Sequence, residues 1–487
     1  MQLSLPKVKK NLKNLPFFRF KEFKDKYLIT NDVGEYAFLT KEEFKKYLEG
    51  NLKKNSKKYQ ELKEKGLIKS EMDIFEIVEK YRQLNSFLFY GPSLHIVVVT
   101  QRCNFNCIYC QAVPEPMDAK GYDMDIETAK KVVDMVFESP NPTITIEFQG
   151  GEPLANWEAV KFIVEYARKK NEEIKKSLWI SLVTNMSLMT EEKLKFLFEK
   201  NVALCVSLDG PEYLHNKNRI WFGGNSYQIA TYWIKKIKEY EKKAEKEGRQ
   251  YFRLAALPTI SRFSLNYPKE IVDEYLKWDF RRIHLRPISY LGLSGKRRKE
   301  IGYSVEEFME FWKKAVNYII EVNLKGKFLY ERGLIIILDK IYQKLNYFTD
   351  LRSPCGAGIG QIVYRYDGKV FPCDEARMIG EDIFCIGKIG KNSWREITSH
   401  PTVKSLITAS LLENLPCDFC VYKPYCGVCP VKNYAFFGDI FTCPPLTENC
   451  KMHKMILDFL FEKLQNNKIR KVFERWIKER RKTKAAE

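Results

Sequence analysis

The residues of this sequence most suited to chemistry are three thiols on one short loop. The stretch Thr100-Gln-Arg-Cys103-Asn-Phe-Asn-Cys107-Ile-Tyr-Cys110 sets Cys103, Cys107 and Cys110 at CxxxCxxC spacing, directly after the apolar run Leu94 to Val99. Four-iron clusters normally take four cysteine thiolates. Three on one loop therefore leave one iron with a position for a ligand that is not protein, and an open iron is a site for chemistry. The other readings are three buried thiols or a zinc knuckle. A three-thiolate zinc site would need a nearby histidine, and this loop has none.

A second group of polar residues follows later apolar runs. Gln149-Gly150-Gly151-Glu152-Pro153 comes after Ile144 to Phe148; paired glycines let backbone approach a ligand closely and take positive φ, and Glu152 can accept from an ammonium group. Thr184-Asn185 ends one run, and Ser207-Leu-Asp209-Gly210-Pro211 ends the next, with His215, Asn216 and Arg219 beyond it. Short polar side chains and one arginine suit a ribose and a carboxylate. Asp-Gly-Pro is also a good turn, and His215 can cap a helix. Cys205, inside an apolar run, reads as a small core residue.

The remaining cysteines gather near the C-terminus. Cys355 and Cys373 flank the turn Tyr366-Asp367-Gly368-Lys369, and Cys417-Asp-Phe-Cys420-Val-Tyr-Lys-Pro-Tyr-Cys426-Gly-Val-Cys429 is followed by Cys443 and Cys450. Two CxxC pairs also fit a zinc ribbon or a two-cluster ferredoxin, so this part alone says only that metal binds.

The elements that must position these residues follow from hydrophobic patterning. From about residue 90 to 290 apolar runs alternate with helical patterns such as Ile126 to Phe137 and Trp157 to Lys169, the signature of βα units on a parallel sheet. Six strands are expected: Leu94 to Thr100, Ile144 to Phe148, Trp179 to Thr184, Ala203 to Leu208, Phe252 to Ile260 and Arg282 to Ile288. Six units suit an open, partial barrel, and ligands bind such folds at the C-terminal ends of strands. Ahead of it, Lys26 to Leu39 reads as two strands around an Asn31-Asp32-Val33-Gly34 turn, with helices over Lys41 to Leu48 and Lys57 to Lys65. Residues 300 to 350 read as helical, Phe308, Phe311, Trp312 and Val316 forming one buried face.

The composition of the 487 residues is that of a globular chain of two or three domains, with a net charge of +20. The start, Met1 to Lys7, lacks the apolar region of a signal peptide, and no apolar run is long enough to span a bilayer. A cytoplasmic protein is expected, with 13 cysteines used for metal or clusters rather than disulfides. The lysine-rich stretches Lys235 to Lys246 and Lys468 to Lys484 read as solvated helix faces. Nucleic acid is a secondary partner class, because no basic block carries interleaved aromatics.

The CxxxCxxC loop, with Tyr109 before its last cysteine and a strand ahead of it, resembles the radical S-adenosylmethionine (SAM) superfamily. That resemblance implies that Cys103, Cys107 and Cys110 hold a [4Fe–4S] cluster whose open iron chelates the amino and carboxylate groups of SAM. It implies that Tyr109, Gly150, Gly151, Glu152 and Pro153 belong to the SAM site, the last four resembling the motif for the methionyl amino group. The string SLDGPEYLHNKNR is similar to a segment of anaerobic sulfatase maturases, which implies SAM contacts from Ser207, Asp209 and Arg219, with Asn185 nearby.

The late cysteines resemble the SPASM extension, which holds auxiliary four-iron clusters. By that resemblance Cys355, Cys373 and Cys429 belong to one cluster. Cys417, Cys420 and Cys426 belong to another with a late cysteine, Cys450 at a helix start in preference to Cys443. Two departures stand out. Cys426 and Cys429 are separated by two residues where the family usually has three, and no cysteine lies between Cys355 and Cys373, so the first auxiliary cluster has an open iron or takes Cys385 or Cys443.

The resemblance implies an α/β chain: an N-terminal small α+β module (1–85), a partial (β/α)6 TIM-like radical SAM core (86–300), a helical bridge (301–350), a cysteine-rich SPASM-like domain (351–455) and a basic C-terminal helix (456–487). The N-terminal module resembles the elements by which maturases of ribosomally made peptides capture a leader as an added strand. Leu94 to Cys103 and Ile146 to Leu154 look most like maturases of the His-Xaa-Ser peptide system. The implied activity begins with reductive cleavage of SAM to methionine and a 5′-deoxyadenosyl radical. That radical abstracts a hydrogen, and a residue of a peptide or protein is oxidised or cross-linked. The implied partners are a substrate with an acidic leader and an electron donor such as flavodoxin or ferredoxin. The alternatives are formylglycine formation of the sulfatase-maturase type, small-molecule chemistry of the molybdopterin-precursor type, and a non-catalytic iron–sulfur scaffold or electron carrier.

Overall fold

The computed structural model describes residues 10–249, 251–414 and 416–486; the leading segment Met1 to Lys7 lies outside the described residues. The chain opens with a three-stranded antiparallel sheet, β1 (Arg19–Phe23), β2 (Lys26–Thr30) and β3 (Tyr36–Thr40). The turn from β2 to β3 spans the expected Asn31 to Gly34, with Gly34 at φ +68°. The helices Lys41–Glu49 and Lys57–Glu64 follow, the first opened by a Thr40–Glu43 capping box. A further helix, Ile74–Leu84, and the charged strand β1 were not legible from alternation.

The N-terminal sheet does not stand alone. Thr30 Oγ1 donates to the Val421 carbonyl at 2.8 Å, Tyr425 Oη donates to the Gly34 carbonyl at 3.1 Å, and Arg19 pairs with both Asp32 and Asp418. Phe461 packs edge-on against Tyr36 and Phe38. These contacts seat the sheet beside Cys417 and Cys420.

The central sheet carries the site. Its parallel part comprises β4 (Leu94–Val98), β6 (Thr143–Gln149), β7 (Ser177–Thr184), β8 (Ala203–Ser207) and β10 (Ala255–Leu257), in the order β10-β8-β7-β6-β4; two short strands between them, β5 (Phe105–Cys107) and β9 (Arg219–Trp221), pair separately. In β6, Ile144, Ile146 and Phe148 are buried under the helices Ile126–Phe137 and Trp157–Ile174, while Thr145, Glu147 and Gln149 face the lumen. The same alternation puts Cys205 on the lumen face of β8 with Ser207. The expectation of a core cysteine is therefore corrected.

The fifth and sixth expected strands are broken. Pro258, with no N–H to donate, separates β10 from β11 (Thr259–Ile260), and the sixth divides into β12 (Arg282–Ile283) and β13 (Arg286–Pro287). β11 still pairs in parallel with β13, which carries the curved wall onward. Beyond it the helix Val305–Leu324 buries Phe308, Phe311, Trp312 and Val316 as expected.

After β14 (Tyr330–Glu331), the cysteine-rich extension continues the central sheet. β15 (Gln361–Tyr364) pairs in parallel with the free edge of β4, setting Ile362 opposite His95, and β16 (Lys369–Phe371) and β17 (Gly387–Lys388) extend it further. Among the described residues no helix is long and apolar enough to cross a membrane.

His95 is buried in the β4–β15 seam, with Nδ1 3.1 Å from the Tyr364 hydroxyl. Burial pushes its pKa down to about 3. An imidazole in the unfolded chain takes its proton near pH 6.5. Protonation therefore favours unfolding, and the stability this residue contributes is full above about pH 6.5 and is lost as pH falls towards about 3. In urea titrations across the acid limb, His95→Phe is expected to flatten the loss of stability by about 1.4 kcal/mol per pH unit. An unchanged slope contradicts the assignment.

Candidate active site

The cysteine loop is held by backbone contacts with the glycine loop at the end of β6. Gly151 N donates to the Thr100 carbonyl at 3.0 Å, and Glu152 N to the Arg102 carbonyl at 2.8 Å. A Cβ on Gly150 would lie 2.3 Å from Thr100 O, and one on Gly151 would lie 2.1 Å from Arg102 O. Glycine is needed here because two backbones touch, rather than because a ligand approaches. Pro153 is buried at the start of a 3-10 turn. Glu152 is also buried: its Oε1 accepts from Leu154 N and Thr184 Oγ1, and its Oε2 from Asn185 N. This carboxylate ties the end of β6 to the end of β7 and keeps one lone-pair site on Oε2 free.

The other end of the loop is fixed from β9. The antiparallel pair β5–β9 places Cys107 opposite Arg219, and Ile108 N donates to the Asn218 carbonyl at 3.0 Å. Asp209 is fully buried and accepts from Tyr109 Oη, from Arg219 Nη2 at 3.2 Å and from Thr259 N at 3.2 Å. It holds Tyr109 and Arg219 in place and does not itself line the cavity. His215 Nδ1 accepts from Asp209 N. Arg219 Nε is buried without a hydrogen-bond partner, which leaves a charged donor beside the three thiols.

Cys103, Cys107, Cys110, Gly150, Gly151, Glu152, Asn185, Ser207 and Arg219 line one cavity of about 1020 Å³. Desolvation pushes the three thiols up, that of Cys107 to about 12, with Arg219 opposing the shift there. Such thiols remain protonated until a metal displaces the proton.

The later cysteines form two neighbourhoods. Cys373 has Cys429 and Cys355 among its main charged neighbours, and all three thiols are raised by burial. Cys373 and Cys429 both cap helix N-termini, where partial positive charge favours thiolate. Cys417 has Cys450, Cys420 and Cys443 as neighbours, and Cys426 has Cys420 and Cys417. Cys450 sits in the first turn of the helix Glu448–Leu464, half-buried, whereas Cys443 is exposed. Cys385 packs against the same buried cluster as Cys355, Cys373 and Cys429, its Sγ 3.3 Å from the Gly387 carbonyl. His453, which spacing did not single out, brings Nδ1 within 3.7 Å of Cys426 Sγ. Cys417, Cys426, Cys429, Cys450 and His453 line the same cavity as the first three thiols. Among the described residues no three His, Cys, Asp or Glu side chains close round a single metal ion, as a structural zinc would require.

The family model described as Radical SAM superfamily matches residues 97–243, so this chain carries a radical SAM domain. Its similarities extend further. The cysteine-type anaerobic sulfatase-maturating enzyme of Clostridium novyi (strain NT) is 24% identical over 353 residues, 69% of this chain and 86% of that protein. The solved structure of native anSMEcpe with bound AdoMet matches with a TM-score of 0.66 at 22% identity, covering 77% of this chain and 99% of that one. Streptococcus suis SuiB bound to precursor peptide SuiA matches at 0.51 and 14%, covering 88% and 97%. These structural likenesses establish the fold, an α/β sheet of the radical SAM type with a cysteine-rich C-terminal part.

Radical SAM domains work with a [4Fe–4S] cluster and SAM. The residues present fit both: three desolvated thiols on one loop, a cavity beside them, and the Arg219 guanidinium among its lining. Asp209 is the counter-charge that keeps this arginine buried. Asp209→Asn is expected to cost about 3–5 kcal/mol in chemical denaturation. Adding Arg219→Gln should return part of that loss, and strictly additive costs in this double-mutant cycle contradict the pairing.

Proposed function

We propose that this chain is a radical SAM maturase that oxidises or cross-links a residue of a ribosomally made peptide. The observation that carries the reading is the single cavity joining the Cys103, Cys107 and Cys110 loop to the thiols of Cys417, Cys426, Cys429 and Cys450. When bound there, the [4Fe–4S] cluster and SAM supply a 5′-deoxyadenosyl radical that removes a hydrogen atom from the substrate.

The chain's own residues take the remaining roles. Cys103, Cys107 and Cys110 hold the cluster. The Arg219 guanidinium pairs with the SAM carboxylate, and Glu152 offers its remaining lone pair to the methionyl ammonium. Gly150 and Gly151 keep the two loops in contact, with Pro153 setting the turn behind them. Ser207 and Asn185 face the ribose, while Asp209 and Tyr109 act through Arg219. Cys355, Cys373 and Cys429 hold one auxiliary cluster, and Cys417, Cys420, Cys426 and Cys450 hold a second. The cavity walls exclude water from the reacting hydrogen.

The reading divides the chain as the sequence suggests, into 1–85, 86–300, 301–350, 351–455 and 456–487. The N-terminal sheet docks the leader, its outer strands β1 and β3 each having one strand partner among the described residues. A net charge of +20 favours an acidic leader. Electrons come from a flavodoxin- or ferredoxin-type donor, and the setting is the cytoplasm. A second reading, formylglycine formation on a sulfatase, is supported by the higher TM-score and identity to anSMEcpe. The greater share of this chain covered by SuiB, bound to a precursor peptide, favours the first.

The test is anaerobic reconstitution with SAM and dithionite, comparing wild type with a Cys103→Ala/Cys107→Ala/Cys110→Ala variant. Wild type is expected to form 5′-deoxyadenosine, while the variant keeps auxiliary iron and forms none. Equal yields from both proteins, or none from fully iron-loaded wild type, overturn the reading. An aldehyde on a sulfatase-derived cysteine peptide, detected with a hydrazide probe, selects the second reading.

A further inference from the structure

Three arginines line the same lumen as the first cysteine loop. Arg282 lies in β12 and Arg286 in β13, and Arg332 opens the helix Arg332–Gln343 directly after β14. Parallel pairing of β12 with β14 sets Arg282 opposite Tyr330 and so brings it close to Arg332. All three line the cavity. None forms an ion pair or a side-chain hydrogen bond among the described residues.

The carboxylates nearby are engaged elsewhere. Glu331 caps the helix by accepting from Leu334 N at 2.7 Å and also accepts from Leu285 N at 3.3 Å. Glu147 accepts from Gln149 Nε2 at 2.6 Å and Ser181 Oγ at 3.3 Å. His284, between Arg282 and Arg286 in sequence, is held well below its ordinary pKa by burial and by all three arginines, so it stays neutral and adds no further positive charge. Arg332 is lowered by burial and then by Arg282. Three guanidinium groups in one lumen repel one another, and Glu147 and Glu331, the carboxylates that feel Arg332, offset that only without an ion pair.

Neither cofactor accounts for them. The main charged neighbours of Cys103, Cys107 and Cys110 are Glu152, Asp209, Arg219, Arg297 and Arg377. The cationic neighbours of the later thiols are Lys340, Arg352, Lys432 and Lys454. The thiol that does count all three arginines as neighbours is Cys205, on the lumen face of β8. The SAM carboxylate is assigned under the proposed function to Arg219, in β9.

We propose that Arg282, Arg286 and Arg332 form an anion site inside the barrel that receives a carboxylate side chain of the substrate segment being modified. This rests on the peptide-maturase reading and narrows it, because the residue attacked then lies close to an Asp or Glu in the peptide. Guanidinium forks match a carboxylate bidentately and supply both charge and orientation. Phosphate shares that chemistry, so the test has to separate the two anions.

The experiment is calorimetric titration of the anaerobic, cluster-loaded protein with SAM present. The probes are Ac-Ala-Glu-Cys-Glu-Ala-NH2, its Gln-for-Glu counterpart and inorganic phosphate. Wild type is expected to bind the Glu peptide about tenfold or more tightly than the Gln peptide. Arg286→Gln and Arg332→Gln should each weaken that preference, and the double variant should abolish it. Without ligand, the melting temperatures of the variants should stay level or rise, since like-charge repulsion is relieved.

Equal affinity for the two peptides, or a preference that survives in the double variant, overturns the proposal. Tighter binding of phosphate than of the Glu peptide replaces the carboxylate assignment. A fall in melting temperature with peptide preference intact makes the arginines structural. Binding is read without turnover, so 5′-deoxyadenosine formed by the same preparation reports separately on the radical reading.

Discussion

The site depends on two backbones touching. The cysteine loop and the glycine loop meet at Thr100, Arg102, Gly150 and Gly151, with no room for a Cβ on either glycine. Hydrogen bonds from Gly151 and Glu152 amides hold the meeting point, and Glu152 carries the constraint on to Thr184 and Asn185 at the end of β7. From the other side β9 clamps Cys107 through a strand ladder, and buried Asp209 ties Tyr109, Arg219 and Thr259 together. A three-thiol loop that must hold a large cofactor is thus braced by the ends of four strands. Precision comes from rigid elements rather than from the loop itself.

The lumen is the second consequence of strand alternation. Each parallel strand buries one face under helices and turns the other inward, so Glu147, Gln149, Ser181, Cys205 and Ser207 meet around one space. The C-terminal part closes that space, because β15 continues the sheet and the thiols of Cys426 and Cys429 reach the same cavity. Arg282, Arg286 and Arg332, without an ion pair among the described residues, line this same lumen.

The strands and the cysteine groups were legible because their signals are local. Apolar runs gave β4, β6, β7 and β8 within a few residues, and CxxxCxxC spacing needs no fold to be read. Contacts across sequence were not legible. Nothing in Gln361 to Tyr364 announces pairing with Leu94 to Val97, and nothing in Arg219 announces that it stands opposite Cys107. Pro258, which has no N–H to donate, divides the fifth expected strand, whereas the break in the sixth falls at His284 and Leu285, before Pro287. Cys205 was assigned to the core by residue type, although counting alternate positions back from Ser207 would have placed it in the lumen. Asp209 looked like a ligand contact because it ends a strand; its three protein donors could be found only in three dimensions.

The proposed chemistry rests on three separate thiol groups that open on one cavity. Anomalous diffraction at the iron edge, from crystals of the anaerobically reconstituted protein with SAM, tests it most directly. The account predicts iron density beside Cys103, Cys107 and Cys110 with SAM against it, and two further centres beside Cys373 and Cys417. Iron absent from the first position, or a lone zinc ion at any of the three, would contradict it.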